Sequence, residues 1–508
     1  MKKKLAKAAT LIMVMTLINK AIGFVRDALV ASSFGTTYMT DAYNVAMTIL
    51  DLLFIMIAFA ITTTFIPILS DTLNKKGKEE MFKFANNLMN IFTIIGIILV
   101  LLGVIFTPII VKITANRLDS NTFNLAVQLT RVSVVSLVFL IVYAGHTAIL
   151  QSLDDFLGPT VVGLVYNIPI IIYILLGAKG GIYGLMIATV LGAVIRTIAQ
   201  IPFLYKHGFK FKFILNIKDP RIKKMVLLVI PVLIGASANQ INKLVDKTLA
   251  SGLPEGSISA LTYGERISDV IFATFAVAII TVVFPTLSRA ISEKDNKKFK
   301  FYIEKAINNM NLILLPCTVG LILLSEPIIT IIFKHGVFDD RGVNMTTAAL
   351  VFYSLGIPFC GLREVFNKSL YALQDTKTST INGIIAVIIN IILNLLFINK
   401  LGLKGLALST SISALSASVL LFLSLKRKIG SINGKVLLKT TIKIIISTFI
   451  MGVVVYYSYQ LIYNINILIA VVISVILGVL FYTLSLKILK VQEFNDIVLT
   501  IKGKIKKA

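Results

Sequence analysis

The sequence predicts an all-α integral membrane protein, because three properties of the chain favour that class. Of its 508 residues, 57% are hydrophobic and only 15% are charged, and a soluble core does not need so much apolar sequence. Apolar stretches of about 20 residues follow one another, each long enough to cross ~30 Å of hydrocarbon. The hydrophobic segments also carry an internal repeat. We therefore expect one membrane unit without a separate soluble domain.

The repeat divides the predicted membrane helices into two halves. Four pairs of short motifs match in register, and their spacing stays between 218 and 221 residues. So constant a spacing indicates a duplication rather than chance similarity among apolar segments. Duplicated membrane halves with a site between them are typical of secondary transporters, with a duplicated structural membrane protein as the alternative. The matched pairs are residues 65–70 with 283–288, 107–110 with 326–329, 150–155 with 370–375, and 181–189 with 402–410.

About fourteen apolar spans are predicted by the length rule. The repeat maps the first six onto the next six. Since six is even, both halves enter the membrane in the same sense, which makes the repeat parallel. The last two spans have no counterpart and are an addition. The predicted spans are 8–35, 41–70, 85–112, 123–152, 156–178, 180–205, 221–252, 257–290, 303–335, 344–373, 374–398, 402–427, 437–463 and 465–489.

The same mapping gives the predicted domain organisation. Residues 1–205 form an N-lobe with helices 1–6, and residues 221–428 form a C-lobe with helices 7–12. Residues 429–508 hold helices 13 and 14 and a basic tail. The connection at 206–220 alternates cationic and aromatic residues near its start. It is predicted to be an interfacial cytoplasmic linker, with a solvated basic loop as the alternative.

The net charge of +26 is distributed along the chain in a pattern typical of membrane proteins. Lys and Arg cluster in alternate loops, for example at 75–78, 206–224 and 426–428, whereas 36–41 and 252–256 carry none. This is the positive-inside bias. It predicts that both termini are cytoplasmic, and it argues against nucleic acid as a partner.

Enzyme signatures are missing from the sequence. It has no G-x-x-x-x-G-K-[ST] loop, so no nucleotide motor is expected. Its three histidines, His146, His207 and His335, are too scattered for a metal site. Cys317 and Cys360 lie in apolar segments and resemble core residues more than a disulfide or metal pair. We therefore predict a protein that is not an enzyme and has no cofactor other than a bound cation.

Ionisable residues inside spanning helices are costly and are therefore functional candidates. The first span of each half carries a cation at an equivalent place, because Lys20 aligns with Lys243. Cations that converge on a central cavity would suit an anionic substrate. Phosphate is the first candidate, since arginine binds it through two bonds and lysine as a point charge. Internal ion pairing is the alternative. The charged candidates inside the spans include Lys20, Arg26, Asp27, Asp41, Glu265 and Arg266, and the resemblance described below assigns these six to substrate binding.

A second group of polar residues offers oxygen ligands. Asn390 and Asn394 are four residues apart and therefore share a helix face. Thr410 lies in span twelve and Asp246 in span seven. Such ligands suit a small hard cation, and hydrogen bonding between helices is the alternative. Asp246, Asn390, Asn394 and Thr410 are therefore candidate ligands of a small cation, which the resemblance described below implies to be sodium.

Several motifs resemble those of one family. They are GFVRD at 23–27, TDAY at 40–43, LASGLPEGSISAL at 249–261 and YALQDTKT at 371–378. With them the chain resembles the MurJ (MviN) family of lipid II flippases, within the multidrug/oligosaccharidyl-lipid/polysaccharide exporter superfamily. The resemblance covers nearly the whole chain, and the match at 249–261 is the most specific.

The resemblance implies both a mechanism and a location. It implies export of an undecaprenyl-pyrophosphate-linked peptidoglycan precursor from the inner to the outer leaflet of a bacterial plasma membrane, by alternating access. It also implies a groove for the lipid tail on helices 13 and 14, the cavity residues and sodium ligands named above, and cell-wall synthesis machinery as partners. One departure stands out. The family usually has an arginine in the middle of span two, and residues 50–56 contain none. Either another cation compensates or the substrate differs.

Four alternative functions follow from the same residues. The first is a flippase for another lipid-linked polysaccharide or teichoic precursor. The second is an antiporter for organic cations, which a cationic cavity argues against. The third is a non-transporting membrane scaffold for envelope assembly, which would have no use for a repeat or for charges inside the membrane. A membrane-embedded glycosyltransferase is weaker still, because no acidic catalytic loop is present.

Overall fold

The computed structural model describes the backbone of residues 2–505 and the side chains of residues 14–223, 225–229, 240–496 and 498–499. Between residues 2 and 505 the chain forms helices, turns and loops and no strand. The helices are α1 (Lys2–Phe34), α2 (Tyr38–Thr114), α3 (Ser120–Val134), α4 (Ser136–Ser152), α5 (Leu157–Val162), a 3₁₀ helix (Gly163–Asn167), α6 (Ile168–Leu175), α7 (Gly181–Ile198), α8 (Ile201–Lys206), α9 (Pro220–Ala250), α10 (Ser257–Ser292), α11 (Asn296–Leu323), α12 (Ser325–Phe333), α13 (Asp340–Ser354), α14 (Ile357–Ala372), α15 (Thr376–Leu401), α16 (Leu403–Ile429), α17 (Gly434–Ile462), α18 (Ile467–Ile488) and α19 (Gln492–Ile505).

These helices make the chain a multi-pass membrane protein. Within the described residues, 11 helical segments are long and apolar enough to cross a bilayer. One of them is α2, whose 77 residues far exceed the ~20 that one crossing needs. Counting α2 as two crossings and adding the long helices α1 and α9 gives the predicted number of fourteen. The all-α membrane fold with about fourteen spans is confirmed.

Two details differ from the predicted spans. Residues 71–84, expected as a loop, continue α2, and only Gly77 departs from helical geometry, with φ 82° and ψ 176°. Glycine fits there because a side chain disfavours positive φ, and the Lys75–Asp71 pair at 2.8 Å supports the helix just before it. Residues 492–505, which include the start of the basic tail, also form a helix, α19. It is tied to α11 by the Lys305–Asp496 pair at 2.9 Å.

The chain divides into two compact units. Unit 1 holds the chain up to Ser259 together with His335–Phe338, and unit 2 holds Ala260–Lys334 and everything from Asp339 onward. The main core of unit 1 packs α2 against α4, α8 and the start of α9, around Phe65, whose ring meets that of Phe92 edge-on. A core of unit 2 packs α11 against α17 and α18. The predicted lobe boundaries at 205 and 221 stay a prediction.

The duplication is visible in the backbone of each unit. Asp154 and Gln374, at matching repeat positions, both have positive φ, at 60° and 59°. The next residue in each case is an aspartate whose N–H donates to a helix carbonyl five residues earlier, at 2.9 Å in both. Each of these aspartates then accepts a backbone N–H three residues ahead. Such closely matched local geometry follows from the repeat and supports its interpretation as a duplication.

Each of these aspartates also contacts a basic side chain from near the end of its half. His207 Nε2 lies 2.9 Å from Asp155, and Lys428 Nζ lies 2.5 Å from Asp375. Hydrogen bonds from Lys428 and from Thr378 hold the pKa of Asp375 at about 2. At Asp155 burial opposes ionisation, but bonds from Gly158 and His207 outweigh it and lower the pKa. Both carboxylates are therefore charged at neutral pH.

The predicted topology can be tested by cysteine labelling. In a background where Cys317 and Cys360 are replaced by alanine, Lys76→Cys and Lys297→Cys should resist an impermeant reagent added outside cells. Glu255→Cys should react, because its loop lacks Lys and Arg. All three positions are exposed to solvent, so accessibility reports the side of the membrane. The reverse pattern would contradict the assignment and the direction of transport with it.

Candidate functional site

The most developed polar cluster of unit 1 centres on Arg26. Its Nε and one terminal nitrogen both donate to Asp27 Oδ1, at 3.0 and 2.7 Å, and its other terminal nitrogen donates to Asn167 Oδ1 at 3.0 Å. The side chains of Arg26 and Asp27 are 16% and 17% exposed. Three of the five N–H donors of the guanidinium are thereby used. Arg26 and Asp27, both predicted site residues, are thus brought together as a partly buried ion pair.

A helix break supplies the Asn167 contact. The span that follows α4 is divided into α5, a 3₁₀ helix that ends at Asn167, and α6, with Pro169 in its first turn. Proline cannot donate a backbone hydrogen bond, so a regular helix is interrupted there. A second bond ties α1 to this span, from Asn19 Nδ2 to Thr160 O at 2.9 Å. A 3₁₀ stretch within a span often marks a functional hinge.

Tyrosines surround the cluster, together with a second arginine. Tyr43 and Tyr166 both lie within electrostatic range of Arg26. The Arg196 guanidinium carbon lies 3.7 Å from the ring centre of Tyr143 and 5.8 Å from that of Tyr166. The Arg196 Nε is buried and has no acceptor within the described part of the chain. The Arg196 guanidinium therefore packs against two aromatic rings, an arrangement that stabilises a cation.

Asp41 lies apart from this cluster in the hydrogen-bond network. Its side chain is almost fully buried and accepts from the N–H groups of Gly256 and Ser259, at 2.7 and 2.8 Å, and from the Ser259 hydroxyl at 2.7 Å. These donors stand at the start of α10, so Asp41 caps a helix other than its own. It also lines a cavity of about 230 Å³ with Arg117. Asp41 therefore caps α10, and its predicted role in substrate binding stays a prediction.

The remaining predicted site residues are placed differently. Lys20 is exposed on α1, in unit 1. Glu265 is half-buried and Arg266 exposed, both on α10 in the part assigned to unit 2. Their assignment to substrate binding stays a prediction.

Three of the four predicted sodium ligands lie in unit 2. Asn390 and Asn394 are fully buried on α15 and bonded to each other, Asn394 Nδ2 to Asn390 Oδ1 at 2.9 Å. The Thr410 hydroxyl donates to Leu406 O on α16 at 3.1 Å. Asp246 belongs to α9 in unit 1. Within the described residues no cluster of three or more His, Cys, Asp or Glu side chains could hold a metal. Amides and a hydroxyl are oxygen donors of the class that suits sodium.

Comparison with known proteins decides the family. A family model described as "Lipid II flippase MurJ" matches residues 30–489. The chain belongs to the MurJ family. It is 31% identical over 438 residues to a probable lipid II flippase MurJ of Vibrio cholerae serotype O1, covering 83% of this chain and 82% of that protein. It is 30% identical over 478 residues to the lipid II flippase MurJ of Thermosipho africanus, covering 94% of this chain and 96% of that one.

Solved structures agree with MurJ membership. A lipid II flippase MurJ in an inward closed conformation superposes with a TM-score of 0.82 at 29% identity, covering 96% of this chain and all of that one. A multidrug resistance MATE family transporter of the MOP superfamily, in an inward-facing conformation, has a TM-score of 0.69 at 14% identity, covering 83% and 99%. The second likeness concerns the fold alone. The family and the superfamily fold predicted from the motifs are both confirmed.

Some charged residues inside spans were missed by the sequence prediction. Arg196 on α7 is one. In unit 2, Lys368 on α14 lies 5.6 Å from the ring centre of Phe284 and 5.4 Å from that of Tyr371, with Arg363 on the same helix. All lie in segments apolar enough to cross the membrane. The rule that identified Arg26 would have found them too, had it been applied to every span.

Proposed function

We propose that this protein is a lipid II flippase. It moves undecaprenyl-pyrophosphate-linked peptidoglycan precursor from the inner to the outer leaflet of a bacterial plasma membrane by alternating access. The observation that carries this function is the family match over residues 30–489. Relatives that are named lipid II flippases, and that match this chain over most of their length, support it. The reaction makes and breaks no covalent bond.

The Arg26 cluster supports an electrostatic mechanism. A pyrophosphate cannot enter hydrocarbon without a replacement for its hydration, and partly buried cations supply one. The two N–H donors that remain on Arg26 sit one on each terminal nitrogen, and an anionic oxygen could bind both. Because Asp27 already neutralises Arg26, further cations are needed to attract the pyrophosphate. Lys20 and Arg196 are two cations of unit 1, and Arg196 is the one that we propose compensates for the missing arginine of span two.

The second candidate is a flippase for another lipid-linked polysaccharide precursor. The observation that favours this candidate is the absence of an arginine from residues 50–56, which a different substrate would explain. Both candidates share the phosphate chemistry and differ in the sugar and peptide. Cell-wall synthesis machinery is the class of protein partner that we propose for either.

Leaflet-resolved labelling tests the function directly. Cells depleted of their own flippase should accumulate lipid II in the inner leaflet, and this chain should restore its labelling outside. A variant that lacks both Arg26 and Arg266 should not. If lipid II stays inside while another lipid-linked precursor reaches the outer leaflet, the second candidate is correct. If neither reaches it while the protein is present in the membrane, the transport function is wrong.

The energy source gives a further prediction. An anionic substrate that moves outward is assisted by an inside-negative potential, by roughly 2.3 kcal/mol per charge per 100 mV if the charge crosses the full field. Collapse of the potential should therefore stop export. A cation bound at Asp246, Asn390, Asn394 and Thr410 would bias the empty protein toward one orientation, so Asp246→Asn should alter the dependence of export on sodium. An unchanged sodium response would leave Asp246 with a packing role only, and export that persists without a potential would rule out electrogenic transport.

A further inference from the structure

The segment that joins α8 to α9 is an extended strap, defined here as residues 209–218. Residues 209–216 have no helix, although helices precede and follow them. Isolated extended chain leaves its backbone groups unpaired, and buried backbone groups need partners. The strap obtains them from side chains of α2.

Three asparagines on α2 hold the strap as a neighbouring strand would. Asn86 donates to Lys210 O at 2.9 Å and accepts from Lys212 N at 2.7 Å. Asn87 does the same with both backbone groups of Asn216, at 2.9 and 2.6 Å. Asn90 donates to the carbonyls of Lys212 and Ile214, at 3.0 Å each. These bonds reach only backbone atoms of the strap, so they do not engage its side chains.

The first residues of the strap anchor it to unit 1. Phe209 is fully buried, with its ring 5.3 Å from that of Phe82 and edge-on to it. Phe211 meets the rings of Phe209 and of His146, at 5.1 and 5.6 Å. His146 itself is buried. The strap is therefore fixed at its start by aromatic packing and along its length by amides.

Beyond this anchor the strap presents apolar side chains that the described part of the chain leaves exposed. Phe213 is 82% exposed and Ile217 69%, with Leu215 at 45%. Large apolar groups so exposed on a fixed backbone are costly in water. Exposed lysines stand among and beside them, namely Lys206, Lys210, Lys212 and Lys218.

We propose that the strap binds anionic phospholipids of the leaflet that the loop charges predict to be cytoplasmic. The apolar side chains enter the region between headgroups and acyl chains, and the lysines contact lipid phosphates. Segments that combine apolar and cationic residues next to a membrane helix are typical of proteins that bind an anionic membrane surface. Since the asparagines hold the backbone, binding requires no folding of the strap.

A lipid surface fits these residues better than other partners. The substrate's pyrophosphate could also attract lysines, but a phosphate alone has no use for Phe213, Leu215 and Ile217. The strap joins two membrane helices, α8 and α9, so its apolar side chains lie close to the bilayer without any further partner. Competition by inorganic pyrophosphate distinguishes lysines that bind lipid phosphate from lysines that bind substrate phosphate.

The chain contains no tryptophan, so Phe213→Trp creates a single fluorescent reporter on the strap. The full-length protein is placed in nanodiscs of mixed phosphatidylglycerol and phosphatidylcholine, with bromines on the acyl chains of one lipid or the other. Both should quench the reporter, and brominated phosphatidylglycerol should quench more than its bulk fraction predicts. A matched control is Leu461→Trp at the end of α17, a position 80% exposed near a loop without lysine. It should show no preference between the lipids.

Adding Lys210→Gln and Lys212→Gln to the reporter should remove the preference but keep quenching by phosphatidylcholine. The expected loss of local enrichment is up to about fivefold for each lysine. Three results would overturn the proposal. One is a reporter that neither lipid quenches, and another is equal quenching by the two lipids. The third is a preference abolished by inorganic pyrophosphate, which would assign the lysines to substrate phosphate instead.

Discussion

Arg26→Ala is expected to abolish flippase activity, the largest effect that we predict for a single substitution. Two charge-assisted hydrogen bonds to a substrate oxygen, at about 1.5–3 kcal/mol each, correspond to roughly 10²–10⁴-fold in affinity. Arg26→Lys should retain partial activity, because it keeps the charge but loses the planar fork. Complementation of a flippase-depleted strain and leaflet-resolved labelling of lipid II both measure the effect.

The ion pair with Asp27 has to be separated from this role. Removing Arg26 alone takes away the cation that neutralises the partly buried Asp27 carboxylate, which can cost about 3–5 kcal/mol of stability. A double variant, Arg26→Ala with Asp27→Ala, removes both charges and should recover the amount of protein in the membrane without recovering transport. Recovery of transport in the double variant would mean that Arg26 only neutralises Asp27. Arg289→Ala, at an exposed arginine near the end of α10, is the matched control and should transport normally.

The sequence predicted the helices and the family better than it predicted the site. Hydrophobic length and the repeat depend on many residues. The predicted number of fourteen spans therefore holds even though a loop was wrongly predicted at residues 71–84, where α2 continues. Site geometry depends on single contacts. No pattern in the sequence indicates that the guanidinium of Arg26 would meet Asn167, 141 residues away, because a 3₁₀ helix before Pro169 places that amide.

Dependence on single contacts also explains why the sequence did not predict the hydrogen bonds of Asp41 or the structure of the strap. An acidic residue at the start of a span predicts a functional charge, and it predicts equally well a cap for a neighbouring helix. In the sequence, nothing distinguishes the three asparagines of α2 from other polar residues of a helix. Their pairing with residues 210–216 depends on the packed arrangement of α2 against the strap, which composition does not reveal. A segment predicted only as interfacial thus has a defined extended structure.

Asp41→Ala is expected to destabilise the protein more than any other single carboxylate replacement in unit 1. The substitution leaves the N–H groups of Gly256 and Ser259 buried without an acceptor, at about 1–3 kcal/mol for each unsatisfied group. The start of α10 loses its cap at the same time. The measurements are the thermal unfolding midpoint in detergent and the transport rate per folded molecule.

Asp119→Ala supplies the matched control for this cap. Asp119 is exposed and caps its own helix, α3, by accepting from the N–H groups of Asn121 and Thr122. An exposed cap is worth about 1 kcal/mol, because water replaces the lost acceptor. We therefore expect a small decrease in the unfolding midpoint for Asp119→Ala and a large one for Asp41→Ala, with transport per folded molecule close to normal in both. If Asp41→Ala keeps the midpoint of the parent protein but stops transport, its carboxylate serves the substrate, as its position in the sequence first suggested, and the cap is secondary.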